Sequence, residues 1–257
     1  MKKTFILASL LAAFSSLASA ATTITFYKKG NGPANPTWIN TGSGEDRLGL
    51  TISGSKVDWT LSNDIKFSAR ASAGNLFYSG SDAGSLFTHA DNHPAAVNEW
   101  QAMSGVDYTQ LKQGIGPGNG GADLVDTTIT NSSFQSGNSL TMYIVAGLAG
   151  SNGSGNLTLA VTSGLTDVTL SVATFVSGSG WDTVNGTTAT RNNLTYNRFT
   201  IFKVEGTLTG ESVVFDLDGS SGKSVLGGIS YEVTPEPTTA TLSLLALAGL
   251  CARRRRK

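Results

Sequence analysis

The sequence predicts an all-β domain, a single two-sheet β-sandwich of jelly-roll type with one short helix. Three observations carry this. Glycine is heavily used, 31 of 257 residues, and Ser, Thr and Asn are abundant. Charged residues make up only 14%, which excludes a helical bundle or coiled coil and fits short strands joined by turns. Alternating runs of β-branched and aromatic residues recur between Gly/Ser/Asn clusters. A β-solenoid is the alternative, but it would need an internal repeat at a fixed period, and none is found.

Taken in order, Thr22 to Tyr27 alternates and reads as a strand. Lys28 to Arg47, with Gly30, Gly32, Pro33, Pro36, Gly42 and Gly44, reads as a long loop. Strands follow at Leu48–Ile52, Lys56–Leu61 and Asp64–Ala69. Val57, Trp59 and Leu61 share one face, so Trp59 is placed against a core. Pro94 to Ser104 is the one helix predicted in this region: Pro94 suits the first turn, Gly105 the cap, and Ala96, Trp100 and Met103 lie on one side. Gly114 to Gly121 (GIGPGNGG) has no periodicity and reads as a flexible loop. Further strands are predicted at Leu124–Thr130, Leu140–Ala146, Asn156–Thr162, Val168–Phe175, Arg198–Gly206, Ser212–Leu217 and Ser224–Val233.

The ends of the chain differ in kind from its middle. At the N-terminus, Lys2 and Lys3 precede a short apolar stretch that closes on Ala18-Ser19-Ala20. This is the pattern of a secretory signal peptide over residues 1–20, with Ala18 and Ala20 defining cleavage before Ala21. At the C-terminus, residues 234–257 hold three parts in succession. These are the tripeptide Pro235-Glu236-Pro237, an apolar run from Ala240 to Ala252, and the block Arg253, Arg254, Arg255, Arg256, Lys257. Two prolines bias the tripeptide towards an extended, recognisable form. As a helix the apolar run spans roughly 20 Å, short of the ~30 Å hydrocarbon core, and terminal cations extend its reach by snorkelling. The cations also place the C-terminus on the cytoplasmic side. Between the two signals, residues 21–233 form the passenger domain.

This tail resembles the PEP-CTERM sorting signal of exported bacterial proteins, on the three parts just named, in that order. The resemblance covers roughly the last tenth of the chain and says nothing of the passenger. It implies an exosortase-type sorting enzyme as partner, with Pro235, Glu236, Pro237 and Arg253 to Arg256 as the motif residues. It also implies an exported protein whose precursor is tethered transiently at the inner membrane through a hydrophobic sorting helix. The mature form is then expected at the cell surface or outside the cell. The signal peptide adds the export translocon as a second partner.

The chain carries 18 cations and 18 anions. Seven of the cations lie in the two signals, so the passenger is net acidic and lacks basic stripes, which argues against nucleic-acid binding. The only cysteine, Cys251, lies in the tail, so the passenger reaches an oxidising compartment with no disulfide to draw on.

Candidate chemistry is sparse. His89 and His93, the only histidines, bracket Asp91, but Pro94 disfavours the helix that would aim both rings at one metal. Asp216-Leu217-Asp218-Gly219 offers Asp216 and Asp218 as candidate calcium ligands, the one cofactor considered; the full EF-hand pattern is absent, and a strand-ending turn is the alternative. Gly222-Lys223-Ser224 lacks the upstream glycine of a phosphate loop, Leu217 standing in its place. Glu45, Asp46, Glu99, Glu205 and Glu211 form no recognisable acid/base pair. Trp38 and Trp181, in Gly/Asn-rich surroundings, are the candidate ligand-binding aromatics, whereas Trp59 and Trp100 have core spacing. These readings predict no catalytic residue. The expected role is structural or adhesive and non-enzymatic, with a carbohydrate-binding module, and after it an extracellular polysaccharide hydrolase, as alternatives.

Overall fold

The computed structural model describes residues 21–28, 39–40, 45–46, 49–50, 54–61, 64–79, 88–89, 98, 100–103, 111, 114–118, 122–151, 153–172 and 182–235. Short strands open the chain: β1 (Thr22–Thr25), β2 (Tyr27–Lys28), β3 (Ile39–Asn40), β4 (Glu45–Asp46) and β5 (Gly49–Leu50). Then come β6 (Lys56–Thr60), β7 (Ile65–Ala71), β8 (Leu76–Ser79), β9 (Thr88–His89) and β10 (Gly114–Pro117). The long strands follow: β11 (Leu124–Asn131), β12 (Ser139–Ala149), β13 (Ser154–Ser163) and β14 (Leu165–Val172). The described strands finish with β15 (Asp182–Asn185), β16 (Thr188–Thr195), β17 (Arg198–Leu208), β18 (Ser212–Gly219) and β19 (Lys223–Thr234). Helical residues are found at 98 and 100–103, inside the segment predicted as helix.

The strands build two sheets. The larger has ten strands, ordered β14-β17-β12-β19-β1-β3-β4, with β10 on β19, β8 on β10 and β9 on β17. The smaller has seven, ordered β15-β16-β13-β18-β11-β7-β6. Pairing is antiparallel within both except between β9 and β17, and β2 and β5 form a separate parallel pair. From β11 to β14 and from β16 to β19 each successive strand changes sheet. The result is four nested pairs: β12 with β19, β13 with β18, β14 with β17, and β15 with β16.

Burial follows the pleat. On β7, Ile65, Phe67, Ala69 and Ala71 point inward and Lys66, Ser68 and Arg70 outward. The same alternation places Leu157, Leu159 and Val161 of β13, and Val213, Phe215 and Leu217 of β18, on the inner face. They meet Leu140, Met142, Ile144 and Leu148 of β12 and Phe202 and Val204 of β17 in one core between the sheets. Trp59 is half-buried against this core and stacks on Phe67, ring centroids 5.6 Å apart.

The outer face of the larger sheet is covered as well. Tyr143 and Val145 of β12, Phe199 and Ile201 of β17 and Val225 of β19 form a second apolar cluster with Trp100 and Leu111. This explains the unbroken apolar run Met142 to Leu148, since a strand buried on both faces has no polar side to alternate with.

Two expectations are corrected. Gly114 to Pro117, expected as flexible loop, is strand β10, lying between β8 and β19 with Ile115 fully buried. The glycines are there for clearance: a Cβ on Gly114 would stand 2.4 Å from the Leu226 carbonyl oxygen, and one on Gly116 2.6 Å from that of Ser224. The segment Lys28 to Arg47, expected as loop throughout, contains the two-residue strands β3 and β4. Beyond roughly eleven expected strands, the β15–β16 hairpin is an addition. It turns through Gly186-Thr187, Gly186 taking φ 58° as a two-residue hairpin loop requires.

Candidate functional site

Three regions bring together the residues that chemistry or recognition would use. The first is the outer face of the seven-stranded sheet. Register aligns its outward side chains in rows across strands. One row runs Thr183, Thr190, Thr158, Asp218, and the next Asn185, Thr188, Ala160, Asp216. The hydroxyls of Thr158 and Thr190 lie 2.9 Å apart, and Asn192 donates from Nδ2 to Thr183 Oγ1 at 3.1 Å. Among the described residues this face carries hydroxyls, amides, carboxylates and the cations of β6 and β7, but no aromatic ring.

The second region is the acidic corner of that face, where Asp216 and Asp218 fall. A bulge in β11 shifts its register between Leu124 and Thr127 and turns Asp126 to φ 52°. Asp216 Oδ1 accepts the Asp126 N–H at 2.6 Å, satisfying an amide at the irregularity. Arg70 donates from Nε to Asp126 Oδ2 at 3.0 Å, an exposed pair of small energetic weight. Asp123 Oδ1 in turn accepts the Gly219 N–H at 2.7 Å where β18 ends. The D-x-D-G sequence therefore helps to hold a bulge and a strand end. Among the described residues no group of three or more His, Cys, Asp or Glu is arranged to hold a metal ion.

Burial pushes the Asp123 carboxyl above its ordinary value of 3.8; the Gly219 hydrogen bond opposes the rise and the Asp218 charge adds to it. The folded protein thus holds this proton more tightly than the unfolded chain. Asp123 costs no stability below pH 3.8, and its cost grows as pH rises through the raised folded value. Asp123→Asn keeps an oxygen acceptor for Gly219 and removes the charge. Urea unfolding from pH 3 to 7 should show the variant matching the parent at the acid end and exceeding it towards neutrality.

The third region is the pair of poles. At one, the β12–β13, β16–β17 and β18–β19 crossings meet around Tyr196. Its hydroxyl contacts Ser221 Oγ at 2.7 Å, and its ring packs where side chains on Gly150 and Gly222 would stand. Asn197, at φ 60°, bonds the Gly150 carbonyl oxygen through Nδ2 at 2.8 Å. At the opposite pole the chain enters and leaves. Thr22 of β1 pairs with Tyr231 of β19, and Thr234 with Ser139 of β12. Tyr231 is buried against Phe134, ring centroids 5.1 Å apart, and its hydroxyl accepts from Asn131 Nδ2 at 2.6 Å. Burial pushes its phenol up to about 12.

The remaining sequence-predicted residues divide clearly. Trp100 is fully buried, as its spacing predicts. Glu205 is ion-paired with Lys203 at 3.2 Å, and Glu211 lies exposed between β17 and β18. His89 is in β9. Pro235 follows β19 directly and is half-buried. Ala18, Ala20, Trp38, His93, Glu99, Trp181, Glu236, Pro237, Cys251 and Arg253 to Arg256 lie outside the described residues. Among the described residues no helix is long and apolar enough to cross a membrane. The threonine rows and the Asp216-supported bulge escape sequence reading because they depend on register between strands far apart in the chain.

No protein-family model, curated protein or solved structure matches the chain.

Proposed function

We propose that this chain is an exported bacterial surface or extracellular-matrix protein with a structural or adhesive, non-enzymatic role, sorted through a PEP-CTERM tail. The observation that carries the reading is the C-terminal order. Pro235-Glu236-Pro237, the apolar run and the Arg253–Lys257 block follow one another with no spacer after Thr234, the last residue of β19. The passenger fits such a role. At its acidic corner Asp216 and Asp123 each accept a backbone N–H, and the outer face of the smaller sheet presents rows of hydroxyls. The four nested strand pairs support a jelly-roll reading of the sandwich, an antiparallel ribbon rolled upon itself.

The test is made on the cation block. With Arg253 to Lys257 replaced by serines, the precursor is expected to lose membrane retention and to appear at its unsorted mass. A variant with the parent's location and mass would contradict the sorting reading.

A further inference from the structure

Taking the sorting reading above for the existence of a C-terminal cut, we infer that the folded sandwich itself sets the limits of processing. The C-terminal cut falls no earlier than the Thr234–Pro235 bond.

A protease binds its substrate as an extended strand and needs several residues on each side of the scissile bond free of other partners. Upstream of Thr234 those residues are taken. On one side of β19, Tyr231, Glu232, Val233 and Thr234 pair with Met142, Thr141, Leu140 and Ser139 of β12. On the other, Gly228 to Tyr231 pair with β1. Tyr231 and Val233 are each 2% exposed. A cut within this stretch would first require both ladders to open, bringing out the Tyr231 ring and its bond to Asn131. Pro235 has no N–H with which to continue the ladder, and Thr234 is already exposed. The chain is therefore free of the ladder only beyond Thr234 and not before. In the cut, the peptide C–N bond breaks. Water supplies hydroxide to the carbonyl carbon, leaving a carboxylate on the domain, and a proton to the nitrogen of the released tail.

The same geometry applies at the other end. Thr22 is 8% exposed and Thr23 and Ile24 are fully buried in β1. The bond after Ala20 is thus separated by one residue, Ala21, from a strand already built into the sheet. Because Thr22 pairs with Tyr231, β1 begins at the same pole at which β19 ends.

Two measurements together test this. Terminal mapping by mass spectrometry is applied to protein recovered from producing cells, and to purified full-length chain trimmed with a non-specific protease under native conditions. Both are expected to give a C-terminus at Thr234 or later. A folded product ending at or before Val233 in either experiment would overturn the inference. If the cellular protein keeps its full tail while native trimming still stops at or after Thr234, the sorting reading fails and the limit set by β19 stands.

Discussion

Gly114→Val is expected to destabilise the folded domain by about 3 kcal/mol, at the upper end of what forced overpacking costs. For a domain of this size that corresponds to a fall in Tm of roughly 6–12 °C. The reason is backbone clearance. A Cβ at this position meets the Leu226 carbonyl oxygen at 2.4 Å and Val225 Cγ1 at 2.6 Å. Neither the β19 backbone nor a valine packed in the second apolar cluster is free to withdraw. Gly116→Val, 2.6 Å from the Ser224 carbonyl oxygen, should behave alike. Gly210→Val is the control, since a Cβ there meets nothing within 4 Å. If residues 114–117 were flexible loop, all three variants would fall within about 0.5 kcal/mol of the parent, as surface changes do. Thermal melts of the four proteins distinguish the outcomes.

The second large effect is expected at Trp100. Trp100→Ala should cost about 3–5 kcal/mol, the range for deleting a buried aromatic. The ring is fully buried over the outer face of the larger sheet and packs at Gly228, where a Cβ would stand 3.2 Å from its Cη2. Among the described residues its indole Nε1 has no hydrogen-bond partner. Trp100→Phe should therefore cost much less than the alanine variant, because it sheds an unsatisfied donor while keeping most of the apolar surface. Equal losses for the two variants in urea unfolding would mean that the ring's apolar surface is not what anchors this cluster.

The contrast between Trp100 and Gly114 shows what was legible in the sequence. Local periodicity identifies Trp100, because residues 96, 100 and 103 share a helix face whatever the tertiary partner. It also identifies β7, β13 and β18, whose alternation is set by one buried face. It fails at Gly114 to Pro117, where glycine is selected for how closely another strand passes and not for freedom of the backbone. The β15–β16 hairpin is missed for a related reason: its outward row of Thr and Asn looks like loop composition until it is paired. At the candidate site, the carboxylates Asp216 and Asp218 are visible in sequence. The engagement of Asp216 is not, because Asp126, whose amide it holds, lies 90 positions away.

The sandwich closes between β1 and β19, so that β1 begins and β19 ends at one pole. The most direct measurement is a disulfide trap across that pair in a Cys251→Ser background. Thr23 and Ser230 are opposite each other in the ladder, with side-chain oxygens 3.0 Å apart, so T23C/S230C falls within disulfide reach. This variant is expected to oxidise quantitatively, to lose all free thiol and to gain thermal stability that reductant removes. Two free thiols in the native, non-reduced protein would contradict the β1–β19 pairing.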